Sequence, residues 1–193
     1  MWSQILPGLR IKIFFTILLG VIYPLAITGL SQVLFPHQAN GSLIVVDGKV
    51  IGSELIGQNF TRPEYFQPRP SAAGDNGYDP LNTNGSQFGP TNKKLIDRVQ
   101  ASVDKFRKEN PDYHGPIPAD LVTTSASGLD PHISPDSAMA QAPRIAKARG
   151  VTTDQIARLV TDATEPPDLG LIGEPRVNVL KLNLAIDHSF PHR

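Results

Sequence analysis

The longest unbroken apolar pattern lies near the N-terminus. From Ile13 to Pro36 no side chain is charged at neutral pH. The run FFTILLGVIYPLAITGLSQVLF exceeds the roughly 20 mostly apolar residues that a helix needs to cross the hydrocarbon core. The pattern predicts a short segment 1–12, a transmembrane helix over 13–35 and a soluble domain over 36–193. A cleaved signal peptide would also start with basic residues, but its apolar core is about 7 to 15 residues long. Ala39-Asn40-Gly41 fits the small-x-small cleavage pattern loosely, so the length of the run decides for a retained span.

Within the span, Thr16, Gly20, Pro24 and Thr28 recur every four residues and share one helical stripe, while Ile, Leu and Phe cover the rest. Small residues let helix backbones approach closely, which makes this stripe a candidate packing face for another membrane helix. The same residues are also common in membrane helices for other reasons, and Pro24 marks a kink.

Beyond the span the periodicity changes repeatedly. Ser42–Val46 and Lys49–Ile51 are short apolar runs joined by Asp47-Gly48, a dipeptide suited to the positive φ values of a hairpin turn. Asn59 to Pro90 carries Pro63, Pro68, Pro70, Pro80 and Pro90 among Gly and Asn, which predicts an ordered loop region or binding surface. Leu95, Val99, Val103 and Phe106 then fall on one face of an amphipathic helix from Thr91 to Glu109, stopped by Asn110-Pro111. Ser134-Pro135 reads as N-cap and first residue of a helical stretch that Pro143 interrupts and Gly150 ends. Thr152 and Gln155 fit a capping box for a third helix through Ile156, Leu159 and Val160, ended by Pro166-Pro167. Arg176 to Ala185 is apolar enough for a strand, although its alternation slips at Leu180. The expected fold class is an α+β soluble domain, without internal repeat, on a single N-terminal transmembrane helix.

Charge refines this picture. The chain has 18 Lys+Arg and 18 Asp+Glu, but the first acid is Asp47, whereas Arg10 and Lys12 precede the span. Basic residues flanking a span tend to stay cytoplasmic. The N-terminus is therefore expected in the cytoplasm and the domain from Pro36 onward on the outer side, periplasmic if the membrane is a plasma (inner) membrane. With zero cysteines there are no disulfides and no thiolate metal sites, so the domain must hold together by packing.

Candidate chemistry is sparse. Asp130, His132 and Asp136 lie close together, but they lack the further ligands of a zinc-type site. A turn at Asp130-Pro131 and a cap at Ser134 account for the same residues. No G-x-S-x-G elbow is present, and His114, His132 and His188 have no partner fixed by spacing, so no catalytic residue and no metal site is expected. Lys93, Lys94, Arg98, Lys105, Arg107 and Lys108 are interleaved with acids, and 36–193 holds 16 basic against 18 acidic residues, which argues against nucleic-acid binding.

Several phrases in order carry a resemblance. They are Tyr65-Phe66-Gln67-Pro68-Arg69-Pro70-Ser71-Ala72, Gly89-Pro90-Thr91-Asn92, DLVTTSASGLDPHISP from Asp120 to Pro135, PRIAKARGV from Pro143 to Val151, and GEPRVNVLKLNLAID from Gly173 to Asp187. Together, behind one span, they resemble the C subunit of the Kdp potassium-transporting ATPase, a bacterial high-affinity potassium uptake complex. The resemblance implies two protein partners, a channel-like subunit that selects potassium and a P-type ATPase subunit that hydrolyses ATP, in contact with membrane lipid. It implies a non-catalytic accessory role in stabilising their assembly. The family subunit has also been described as a catalytic chaperone that raises the ATP affinity of the ATPase subunit through a Ser/Gly/Gln loop, ATP thus being reached through the complex and no cofactor being held firmly.

The matching loop in this chain is Asn84-Gly85-Ser86-Gln87, with Gly85, Ser86 and Gln87 as candidate nucleotide-binding residues. A Gly-containing turn before a helix N-terminus can receive an anion, but this one lacks the GxxxxGK[ST] pattern of a P-loop. An outward-facing domain could not meet cytoplasmic ATP. The chaperone role therefore competes with an alternative in which the domain caps the channel-like subunit and guides potassium into it without nucleotide.

Overall fold

The computed structural model describes residues 2–191, with side chains from Gln4 onward. Met1, His192 and Arg193, the outer ends of the 1–12 and 36–193 segments, lie outside the described residues. The chain divides into two compact units, Met1–Ile51 and Gly52–Arg193.

In the first unit a helix begins well before residue 13, because Pro7, Arg10 and Lys12 are all accommodated in α1 (Trp2–Ile17). It passes through a π-helical turn, Leu18–Ile22, into α2 (Tyr23–Leu34). Taken together, Gln4–Leu34 is long and apolar enough to cross a membrane. Side chains from Gln4 to Phe35 are exposed, apart from the half-buried Leu18 and Ser31. The π turn sits where Pro24 requires it: the proline ring collides with the carbonyl four residues back, and widening the preceding turn relieves that collision. The amide of Tyr23 accordingly donates to the Leu18 carbonyl, five residues back.

The helix ends at Phe35 and the chain folds back through the single turn α3 (Pro36–Ala39). Gln32 and Asn40 exchange side-chain hydrogen bonds of 3.4 and 3.2 Å across this junction. β1 (Leu43–Val46) and β2 (Lys49–Ser53) then pair as the expected hairpin. Asp47 and Gly48 adopt the positive φ values of the turn, 50° and 75°.

Among the described residues, the second unit is built on four helices and a small sheet. α4 (Lys93–Glu109) is capped by Asn92, whose side chain accepts from the Lys94 amide. α5 (Pro135–Arg149) is capped by Ser134 and ends on Gly150 in the left-handed region at φ 68°. α6 (Thr153–Asp162) has the full reciprocal capping box between Thr152 and Gln155. The sheet is antiparallel in the order β3 (His132–Ile133), β5 (Arg176–Asn178), β4 (Thr164–Glu165), with Val177 opposite both Ile133 and Thr164.

Three expectations need correction. Only the first three residues of 176–185 are strand; the rest belongs to α7 (Val179–Ser189), which Asn178 caps by accepting from the Lys181 amide. A continuous apolar run suits a buried helix as well as a buried strand, and Leu180 breaks the alternation because the helix has begun. Pro143 does not interrupt α5, which stays continuous around it. α6 stops at Asp162, before the Pro166-Pro167 pair, because Thr164 and Glu165 leave to join the sheet.

The main core joins α5, α6, α7 and β5 through Ile145, Ile156, Val160, Val177, Leu182 and Ile186, all fully buried. Phe66, from the long irregular stretch, enters the same core with no exposed surface. A smaller cluster beneath α4 joins Phe106, Leu121 and Ala140. The result is an α+β domain, as expected.

Candidate functional site

Residues 54–92 contain no helix or strand, yet Gly57, Phe66, Ala73 and Gly85 are buried and the stretch around them from 64 to 74 is half-buried. Its order comes from buried polar side chains of distant helices. Asn183 on α7 receives the Phe66 amide at 2.8 Å and donates to the Phe66 carbonyl at 3.0 Å. Gln141 on α5 does the same for Gln67, at 2.8 and 3.1 Å. Two amide side chains thus play the part of a neighbouring strand, and a buried backbone needs such partners.

Arg144 completes the clamp. Its guanidinium donates to the carbonyls of Pro63 and Tyr65, to Asn110 Oδ1 at 2.9 Å and to Gln141 Oε1 at 2.8 Å. Burial pushes its pKa down, while Glu109 and Glu64 oppose that shift. Arg149, almost fully buried, pairs with Asp187 at 2.7 Å and lies 4.9 Å over the Tyr65 ring. The Tyr65 hydroxyl donates to both Asp187 oxygens, and burial together with that carboxylate raises its pKa.

The following stretch locks against residues 125–130. Ser71 donates to the Gly128 carbonyl at 2.6 Å and accepts from the amides of Ala73 and Tyr78. Tyr78 donates to the Arg69 carbonyl, and burial, with the Asp130 charge, raises its pKa. Gly128 has φ 70°, and an added Cβ there would lie 2.8 Å from both the Ala73 Cβ and the Asn84 carbonyl. Arg69 pairs with Asp130 at 2.9 Å. Burial pushes the Asp130 carboxyl up, but bonds from the side chain and backbone of His132 and from Arg69 outweigh it and hold the group below the usual carboxylate range.

Asp130 Oδ1 also accepts from the His132 amide, so the Asp130-Pro131 turn and the Ser134 cap form as expected. Asp130, His132 and Asp136 share an open groove of about 740 Å3 with Asp120, Glu174 and Arg176. Within it, Asp120 is committed to Ser134 and Ser137. A second cavity, of about 310 Å3, lies between residues 59–78 and α4 and is lined by Phe60, Arg69, Tyr78 and Lys105 among others.

The Gly85, Ser86, Gln87 loop runs beside residues 126–127. The Asn84 amide donates to the Ser127 carbonyl at 3.1 Å, and a Cβ on the buried Gly85 would lie 2.7 Å from the Ala126 carbonyl. Ser86 is half-buried. Gln87 is exposed at φ 49°, and its amide donates to Asn84 Oδ1. The N-terminus of α4 is served by Asn92, with Phe88 to Thr91 intervening, and Phe88 carries the Arg98 guanidinium 5.5 Å above its ring. Thr16, Gly20, Pro24 and Thr28 are all exposed on the N-terminal helix, and a Cβ on Gly20 would meet nothing within 4 Å.

Sequence reasoning missed Gln141, Arg144 and Asn183. A signal was present: each is a polar residue set among the apolar positions of a helix, Gln141 between Ala138 and Ile145, Asn183 between Leu182 and Ile186.

A protein-family model described as "K+-transporting ATPase, c chain" matches residues 5–188. The potassium-transporting ATPase KdpC subunit of Myxococcus xanthus is 54% identical over 191 residues, covering 98% of this chain and 90% of that protein. The KdpC subunit of Rhodospirillum rubrum is 55% identical over 185 residues, 96% of this chain and 95% of the relative. That of Caulobacter vibrioides is 54% identical over 192 residues, 99% and 96%.

Proposed function

Since the chain belongs to the KdpC family, the C subunits of potassium-transporting ATPases, we propose that it is a non-catalytic assembly subunit, anchored in the plasma (inner) membrane by its N-terminal helix. That helix packs against membrane helices of its partners, the P-type ATPase subunit and the channel-like subunit. The observation that carries this reading is the helix itself. It is apolar, exposed along its length except at Leu18 and Ser31, and bears a small-residue stripe that its own chain leaves open at Gly20.

The unit Gly52–Arg193 then stands on the outer side, in keeping with Arg10 and Lys12 before the span. There it caps the potassium entrance of the channel-like subunit, away from cytoplasmic ATP. Buried polar contacts occupy the side chains that order residues 63–78, which makes the domain a rigid docking body.

The test is Gly20→Leu in the co-expressed complex. The larger side chain has open space on its own chain, so loss of the other subunits during detergent purification reports a lost partner contact. Undiminished co-purification would contradict the reading. Gln87→Ala is expected to leave the ATP requirement of the complex unchanged; a raised requirement would favour the nucleotide-linked role.

A further inference from the structure

The segment joining β4 to β5 ends in a small apolar tip. The amides of Asp168 and Ile172 each donate to the other's carbonyl, at 2.8 and 3.0 Å, and the Leu171 amide donates to the Asp168 carbonyl at 3.2 Å. Leu169 and Gly170 occupy the central turn positions with φ 55° and 74°. That turn normally carries Asn, Asp or Gly at its first central position, because a bulky side chain in the left-handed region is strained. Here the residue is leucine, and it is 90% exposed; Leu171 is 89% exposed and Ile172 62%. Neither the conformation nor the exposure is favourable for the chain alone, and an observed outlier of this kind points toward function.

Charge around the tip narrows the partner. From Asp162 to Arg176 the chain carries Asp162, Glu165, Asp168 and Glu174 against the single base Arg176. Arg176 is already shared between Glu165 at 3.2 Å and Asp168 at 3.3 Å. Anionic lipid surfaces attract Lys and Arg and would repel this rim. A protein cleft with apolar walls and a basic rim complements both features.

We infer that the Leu169–Ile172 tip is a docking element that inserts into an apolar, base-rimmed cleft on another subunit of the same complex. This rests on the assembly role proposed above but is independent of the stripe on the membrane helix. A photo-reactive benzophenone residue is placed at Leu171 in the full chain, and the complex is co-expressed, purified and irradiated. An adduct with the mass of this chain plus one co-purifying subunit supports the inference. Adducts with lipid alone, or no adduct in a complex that still contains the chain, overturn it and leave the assembly role standing. A wild-type chain that co-purifies with no other subunit overturns both.

A second variant guards against misfolding. Leu169→Asn suits the left-handed turn better and removes apolar surface, so the full chain is expected to melt about 2–4 °C higher. Its retention in the complex is nevertheless expected to fall, and more so at high salt. Retention equal to wild type would contradict the docking role.

Discussion

At Phe66 and Gln67 the backbone is bracketed by two side-chain amides, and this explains how a proline-rich stretch becomes rigid without secondary structure. Asn183→Leu keeps the branched shape of the side chain but leaves the buried amide and carbonyl of Phe66 without partners. Each unsatisfied buried group costs about 1–3 kcal/mol, so a loss of about 2–6 kcal/mol is expected in denaturant unfolding of the full chain. Asp130 gives a pH signature at the same scale. Its folded pKa is depressed, so its contribution is complete above the unfolded value near 4 and is lost as pH falls through the lower folded value. The melting temperature of wild type should therefore fall more steeply below about pH 4 than that of Asp130→Asn. Parallel curves would count against this assignment.

At the scale of elements, the sequence was legible wherever structure is local. Ser134 and Thr152 announce two helix starts because a cap bonds within its own first turn, whereas Asn92, which caps α4 in the same way, was not read from the sequence. Asp47-Gly48 announces the hairpin for the same reason. The two-residue strands β3 and β4 are too short to show alternation, and α7 hides in an apolar run that suits either element. The order of residues 63–78 depends on groups 57 to 122 positions away, which no local pattern reveals.

The stripe of the membrane helix was readable as spacing, but its passage through the π turn was not. In an α-helix a four-residue step overshoots the 3.6-residue turn, so the stripe drifts. The wider turn at Leu18–Ile22 reduces that drift between Thr16 and Pro24. A partner packed there should feel side-chain size at position 20, so Gly20→Ala is expected to weaken co-purification less than Gly20→Leu. Equal, undiminished assembly in both would remove the stripe from the interface.

For the whole molecule, membership of the potassium-transporting ATPase C-subunit family rests on similarity along nearly the entire chain, whereas its mode of action rests on which side of the membrane the larger unit occupies. ATP is cytoplasmic, so topology separates assembly and ion entry from nucleotide contact. The chain has no cysteine, and Ser127 is exposed, which allows a single reporter thiol. The decisive measurement is labelling of Ser127→Cys in intact cells with a membrane-impermeant maleimide. Labelling before lysis is the result this account predicts; labelling that requires lysis would place the domain inside and contradict it.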